Sequence, residues 1–454
     1  MFERRAGANP AGNDGGNANN TACGTNAAAT GANSTASGVN STASNESSSA
    51  YGDTSQATGF HSSAYGLQSV ASGAGSTASG AVSKATGRQS TATGTLTTAS
   101  GDFSTASGVN STASGTNSSA YGTSSNASGA NSTASGSSSI ASGDSSSAYG
   151  AQSVASGFHS SAYGLQANAS GAGSTASGAV SNATGRQSTA TGTLSTASGD
   201  FSTASGVNST ASGASSSAYG NSSTASGDNS AAYGLSSVAS GTNAIAFGNT
   251  ATASNTNAIA IGTNSLSSGA GSIAIGVNSV ATGSNNVAVG TNAGVNTAGV
   301  SLATALGSGA TATASNSVAL GANSIANQAN TVSVGAPGAE RRITNVAAGI
   351  APTDAVNVSQ LQGIALGLQS QINGVQTEER RGIAAAIAAN GYTTPMRAGG
   401  TTVGVSGGFF HGESAVGMSL AHRLASAPNL VVYGSYANSA GAENVYKVGG
   451  AYEF

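Results

Sequence analysis

Charge is the scarcest commodity in this chain. Asp, Glu, Lys and Arg make up 6% of the 454 residues and the net charge is −3, so no basic patch is available to a phosphate backbone and no nucleic-acid partner is expected. Tryptophan is absent and aromatic residues are 5%, which leaves an ordinary globular core without its bulkiest fillers. Cysteine occurs once, at Cys23, so neither an intrachain disulfide nor a thiolate metal cluster can form, and an incidental small residue is the simplest reading. The four histidines, His61, His159, His411 and His422, are dispersed. No Ser/His/Asp set, zinc-binding histidine pair or phosphate-cradling loop stands out, so neither an enzyme nor a cofactor or metal is expected. No apolar run is long enough for a spanning helix, and a membrane segment would have to be built from strands. The first ten residues, MFERRAGANP, lack the apolar core of a secretory signal. Our expectation is that residues 1–23 are an incomplete N-terminal segment.

Glycine, in contrast, is abundant and placed by rule. From Gly24 to Gly290 every seventh residue is glycine at thirty-seven of thirty-nine positions, with Asn45 and Asn255 the exceptions. Alanine stands two residues before each, from Ala22 to Ala288, except at Ser267. The unit Ser-x-Ala-x-Gly plus two linking residues reads as a short strand and a turn. Two such units make a fourteen-residue coil with room inside for little more than alanine. A period kept this long marks a solenoid whose units pack on their neighbours; a disordered Ser-, Gly- and Asn-rich chain has no need of a register. Nineteen coils fit between Gly24 and Gly290, a rod on the order of 90 Å at about 4.8 Å per coil. Over this runs a second repeat: Phe60–Gly115 recurs almost letter for letter at Phe158–Gly213, an offset of 98 residues or fourteen units. Between Gly52 and Gly290 there are only eight charges, Asp53, Lys84, Arg88, Asp102, Asp144, Arg186, Asp200 and Asp228.

From about Thr242 the residues flanking the alanine turn aliphatic, as in AIAFG (244–248), AIAIG (258–262), SIAIG (272–276) and NVAVG (286–290). Both strand faces are then apolar, and a single narrow solenoid covers only one, so a partner chain is implied. An irregular segment after Gly290, TNAGVNTAGVSLATALG, interrupts the period before NSVALG and NTVSVG resume it. The period then changes. Val358, Leu361, Ile364, Leu368, Ile372 and Val375 recur at three and four, one face of a helix with Asp354 placed as its N-cap. This is either a coiled-coil seam or a helix folded back on its own domain. GIAAAIAA (382–389) carries small residues that would let helices crowd together.

The last sixty residues alternate with period two: Val403, Val405, Gly407 and Phe409; Val416, Met418 and Leu420; Val431 and Tyr433; Tyr446, Val448, Gly450, Tyr452 and Phe454. Breaks at 411–413, 427–429 and 438–443 separate four strands, each about as long as a tilted membrane strand of roughly ten residues. Four strands cannot close a barrel, since the smallest have about eight. Three chains would supply twelve; a soluble four-stranded sheet is the alternative.

The Ser-x-Ala-x-Gly head, the AIAIG-type strands, RRITNVAAG with DAVNVSQL, the helix and a four-stranded C-terminus ending AYEF together resemble the YadA-like trimeric autotransporter adhesins. The resemblance implies a mostly β fold: a trimeric left-handed parallel β-roll head (24–335), a neck (336–354), a coiled-coil stalk and pore helix (355–391) and an outer-membrane β-barrel anchor (392–454) of twelve strands from three chains. It implies a homotrimer in a Gram-negative outer membrane, its head exposed at the cell surface, and an anchor that supports export of the rest. Tyr452 and Phe454 would belong to the signal read by the barrel-assembly machinery, and Arg341, Arg342, Asn345, Asp354, Asn357 and Gln360 would join roll to coiled coil. The implied activity is adhesion to host matrix, cell-surface receptors or other surfaces; no receptor is singled out. Tyr51, Tyr65, Tyr121, Tyr149, Tyr163, Tyr219 and Tyr233 are candidate contacts or packing between coils or chains. An ice-binding or structural solenoid would explain hydroxyl arrays such as Thr91-Ala92-Thr93, but not the helix or the C-terminal strands.

Overall fold

The computed structural model describes residues 12–454 apart from Ala442, so MFERRAGANP lies outside the described residues. The chain divides into two compact units, one ending at Arg341 and one beginning at Arg342.

Short strands are all a seven-residue unit allows once glycine and its two followers have turned the chain. Three-residue strands such as Thr35–Ser37 and Ser49–Tyr51 therefore alternate with two-residue strands such as Thr42–Ala43 and Gln56–Ala57. Each pairs in parallel with the strand fourteen residues on: Thr35 with Ser49, Ala36 with Ala50, Ser37 with Tyr51. Among the described residues the three-residue strands, with the two-residue Val332–Ser333 paired to the last of them, form one wall of 23, and the other two-residue strands a second of 22. Ala36, Ala43, Ala50 and their equivalents point between the walls and are fully buried, as are serines two residues before them. Apolar burial thus accrues a methyl at a time, at about 0.8 kcal/mol each. One row of inward serines returns its hydroxyl to the turn before it, Ser41 Oγ to Gly38 O (3.0 Å) and Ser55 Oγ to Gly52 O (2.9 Å).

The glycines serve two different needs. Those after the three-residue strands, from Gly24 to Gly290, hold φ between +115° and +144°, a region that side chains avoid. Those after the two-residue strands do not have positive φ, but a Cβ on Gly59 or Gly87 would stand 2.1 or 2.0 Å from a glycine carbonyl oxygen in the next coil. Asn45 and Asn255 both belong to this second kind, and each donates its Nδ2 at 3.3 Å to the carbonyl thirteen residues on, Thr58 and Ser268. Two residues after almost every glycine comes a left-handed residue at φ near +55°, most often Asn, the side chain that tolerates it best. Asn264, Asn278 and Asn292 ladder there at 3.2 Å from coil to coil.

The irregular segment turns out to be a three-residue enlargement of one coil and not a break. Val287 pairs with Thr304, seventeen residues on, and the offset returns to fourteen when Thr304 meets Val318. Val295 and Val300 fill the wider interior, and the buried Asn286 amide ties Val300 O (3.0 Å) and Ala303 N (3.0 Å) across it.

In the second unit, residues 342–357 carry no helix or strand. The one helix among the described residues, Val358–Ala389, is capped by Asn357, whose side chain accepts from the Gln360 amide while Gln360 reaches back to the Asn357 amide. This corrects the expectation that Asp354 is the N-cap: Asn357 and Gln360 form the reciprocal pair of a capping box three residues later. Strands Thr401–Phe410, Glu413–Arg423, Leu430–Ser439 and Glu443–Tyr452 follow as an antiparallel meander in chain order. The C-terminal part of the helix lies on one face of this sheet through Ala384, Ala385, Ala388 and Ala389, all buried. Gly408 and Gly417 allow the approach; a Cβ on Gly408 would be 2.0 Å from Ala384 O. The other face exposes Val403, Val405, Phe409, Val416, Met418, Leu420, Tyr446 and Val448, as the alternation predicts. The third strand departs by one residue. Val432 and Tyr436 share the outward face with Leu420 and Met418, while Val431 is buried and Tyr433 stacks on Tyr392 at 4.0 Å on the helix side.

Candidate functional site

The wall of three-residue strands presents two outward rows, the residues on either side of each buried alanine. One row runs Ser37, Tyr51, Tyr65, Ser79 onward through Tyr219 and Tyr233, and then continues without a step into Phe247, Ile261, Ile275, Val289, Leu306 and Leu320. Tyrosines in successive coils stack: Tyr51 on Tyr65 at 5.4 Å, Tyr149 on Tyr163 at 5.5 Å, Tyr219 on Tyr233 at 4.9 Å. The companion row changes from Thr and Ser to Ile245, Ile259, Ile273 and Val287 at the same level. One wall therefore passes from hydroxyl and tyrosine to a face apolar in both rows from Ile245 to Val289, which continues beyond Thr304 in Leu306, Val318 and Leu320, much of it exposed in the single chain.

The residues expected at the neck fall in both units. Arg341 closes the last coil of the first unit: Nη1 donates to Ser324 Oγ (2.8 Å) and Val334 O (2.7 Å), and Nη2 to Ala322 O. In the second unit, Asn357 Nδ2 donates to Val346 O (3.2 Å), and Gln360 pairs both ways with Gly349, its Nε2 on the carbonyl and its Oε1 on the amide, each at 2.9 Å. Asp354 accepts from Ile350 N (2.8 Å) and Ala351 N (2.9 Å). These bonds, Ala351 foremost, hold its carboxyl below the ordinary value of 3.8. Asp354, Asn357 and Gln360 thus fix the approach to the helix as one network. Asn345 contributes a left-handed bend at φ +61°. Arg342 is exposed and has no hydrogen-bond or ion-pair partner among the described residues.

Beyond the cap, Val358, Leu361, Ile364, Leu368, Ile372 and Val375 are all more than half exposed, an uncovered apolar stripe. Further along, Arg381 Nε meets Glu413 Oε2 at 3.0 Å, fastening the helix to the second strand. Ser406 and Ser435 on the sheet donate to the last helical carbonyls, Ala388 O and Ala389 O. Lys447 reaches the C-cap residue Asn390 and lies over the Tyr433 ring at 5.6 Å. No periodicity announced these contacts, because they are made by single polar residues on the face opposite the apolar alternation. Tyr452 ends the fourth strand on the outward face and meets Phe454 edge-on at 5.3 Å. The two edge strands, Thr401–Phe410 and Glu443–Tyr452, each lack a neighbour on one side among the described residues.

A repeat solenoid, a capped helix with an open apolar stripe and a four-stranded sheet with an apolar outer face define a modular protein whose helix and sheet each leave an apolar face uncovered. Models of known families agree. The YadA head domain repeat matches in fifteen segments between residues 21 and 336, and the coiled stalk of trimeric autotransporter adhesin matches 342–383. Together they take in well over half of the chain, which belongs to the YadA-like trimeric autotransporter adhesin family. Autotransporter adhesin NhhA of Neisseria meningitidis serogroup B (strain ATCC BAA-335 / MC58) is 41% identical over 80 residues, 17% of this chain and 14% of NhhA. The chain therefore matches only a small part of that relative's length. The collagen-binding domain of Yersinia adhesin YadA is 30% identical over 40% of this chain and 86% of that domain, with a TM-score of 0.26 that leaves the superposition without weight.

Proposed function

We propose that this chain is a cell-surface adhesin that works as a homotrimer, anchored in a Gram-negative outer membrane by a twelve-stranded barrel to which each chain gives four strands. The observation that carries this reading is the C-terminal sheet. Its outward face is apolar, its inward face is small or polar apart from Phe410, Val431, Tyr433 and Val445 and is covered by a helix, and both its edges are open among the described residues. Hydrocarbon tolerates the first property and forbids the last, so the fourth strand of one chain must pair with the first of another until the circle closes. The barrel-assembly machinery would insert it, with Tyr452 and Phe454 in the signal, and the anchor would support export of the head.

Three helices whose stripes meet would cover Leu361, Ile364 and Leu368. The wall bearing Ile245 to Leu320 would face its two counterparts in the same way, and the tyrosines above it, being in the same row, would be packing between chains and not contacts for a ligand. Adhesion to host matrix or cell-surface molecules would come from the remaining faces, as many weak contacts added by avidity. Its neck would be residues 336–354 and would join the two parts through Arg341, Arg342, Asn345, Asp354, Asn357 and Gln360.

The test is expression behind a functional signal peptide in a Gram-negative host, followed by denaturing electrophoresis of the outer-membrane fraction with and without boiling. A heat-resistant band near three times the chain mass is expected. A soluble monomer would sink the reading.

A further inference from the structure

We propose that the head carries two equivalent binding sites for neutral pyranoside glycan chains, on the edge of the solenoid formed by the turns after the two-residue strands; this rests on the adhesin reading above. That edge holds nearly all the chemistry in an otherwise bland rod. Six of the eight charges between Gly52 and Gly290, all but Asp53 and Lys84, stand one residue after a glycine of the second kind, and His61, His159, Phe60, Phe103, Phe158 and Phe201 lie in the same turns. The opposite edge instead shows aliphatics such as Leu67, Leu96 and Val109.

The residues are arranged as well as gathered. Phe60 stacks on His61 with ring centres 4.0 Å apart. One coil on, the turn is Ala74-Gly75, so the edge is notched there. Gln89, from the coil after that, leans toward the notch, its Cγ 3.2 Å from where a Cβ on Gly75 would stand; its backbone amide donates to Ala74 O at 2.7 Å, while its side-chain amide makes no hydrogen bond among the described residues. Beside it the Arg88 guanidinium is held over the Phe103 ring at 4.9 Å and within 3.7 Å of the Asp102 carboxylate. Asp102 is itself fixed by accepting the Arg88 amide at 2.9 Å. The second copy repeats the geometry: the Phe158–His159 stack at 4.0 Å, Arg186 over Phe201 at 4.9 Å, and Arg186 to Asp200 at 3.6 Å.

A half-exposed phenylalanine stacked on a histidine, near an unpaired side-chain amide and a guanidinium paired with a carboxylate, matches one ligand chemistry well. A pyranoside offers a C–H face to the ring and a rim of hydroxyls that both donate and accept. A protein partner would find only two separated benzene rings with charge between them. Arg88 and Asp102 cancel, so the site favours neutral sugars over polyanions. The copies lie seven coils apart, about 34 Å at about 4.8 Å per coil, a span that a polysaccharide can bridge and a short oligosaccharide cannot. Binding is therefore bivalent within one chain.

The test uses the full chain displayed in the outer membrane of a Gram-negative host and beads coated with galactan, mannan or β-glucan. Wild-type cells should be retained by at least one of these, with little change at about 1 M salt, where charges are screened within about 3 Å. Phe60→Ala with Phe158→Ala, and separately Arg88→Ala with Arg186→Ala, should each lower retention about tenfold or more while the heat-resistant trimer is unchanged. Phe158→Ala alone should give an intermediate loss. Periodate, which cleaves vicinal diols, should abolish adhesion to a host-matrix coat that protease leaves adhesive. The assignment is overturned if both double variants are retained like wild type, if only heparin beads retain the cells and salt releases them, or if protease and not periodate destroys the coat. A trimer that adheres to matrix yet ignores all three polymers removes the glycan site alone; absence of any surface trimer removes the adhesin reading and the site with it.

Discussion

At the scale of single residues, two glycines seven positions apart answer to different physics. Gly220 sits at φ +129°, where any L side chain is strained, whereas Gly227 has no such φ and is kept small by the Gly241 carbonyl. Asn45 and Asn255 show that the second kind admits asparagine. Gly220→Asn should therefore destabilise by about 1–3 kcal/mol more than Gly227→Asn, as thermal unfolding followed by circular dichroism would read. A mutant pair of equal stability would refute the distinction. Glycine's importance was plain from the heptad, but not its two causes, since only the two exceptional asparagines hinted that alternate positions differ. Asp354 offers a pH prediction. Its carboxyl lies below its ordinary value in the folded chain, so its contribution is present above about that value, near 3.8, and is lost as pH falls through the lowered one. Protection factors of the Ile350 and Ala351 amides should fall over that acid window, and should be low and flat with pH in Asp354→Ala. Its role was misread from sequence because Pro352-Thr353-Asp354 looks like a helix start, while the true cap depends on a partner, Gln360, three residues beyond Asn357.

At the scale of elements, the helix and sheet meet through absence of side chain. A Cβ on Gly408 would stand 2.0 Å from Ala384 O and 2.7 Å from Ala388 N, both backbone atoms that cannot rotate away. Gly408→Val should displace the helix and lower the temperature at which the trimer band survives, by more than Gly407→Val, whose nearest neighbour is the Phe409 ring on the outward face. Equal effects would show that the close approach is unimportant. Alternation located all four C-terminal strands, because one face must be apolar. It failed by one residue in the third, where Val431 and Val432 are adjacent and the pattern is satisfied in either phase; only Tyr436 opposite Met418 and Tyr433 against Tyr392 decide it. The three-residue insertion was visible as a lost period, but its repair by Asn286, Val295 and Val300 was not, since a buried amide has no signature in spacing.

At the scale of the whole molecule, a coil touches only the coil before and the coil after, so length is a free parameter. Removing residues 60–157, one period of the long repeat, should restore every strand pairing, leave trimer and thermal stability nearly unchanged, and shorten the head by about 34 Å. Electron microscopy of the displayed protein measures this, and loss of folding would contradict strictly neighbour-to-neighbour stacking. The solenoid itself was legible because a strict period leaves few alternatives. The clustering of charge and aromatics on one edge was not, because it appears only after residues fourteen apart are placed side by side.

Parallel ladders between successive coils also decide how the head behaves under tension. Their hydrogen bonds run along the stacking axis, so a pull on the two ends of a solenoid loads each coil boundary in series, and the outermost coil peels first. Each coil released adds fourteen residues of extended chain, about 43 Å net at about 3.4 Å per residue, while the coils behind it keep their contacts. Under the adhesin reading proposed above, a cell tethered in flow would lengthen its tether stepwise at a nearly constant force and would rewind it when the load fell, instead of snapping at a single weak point.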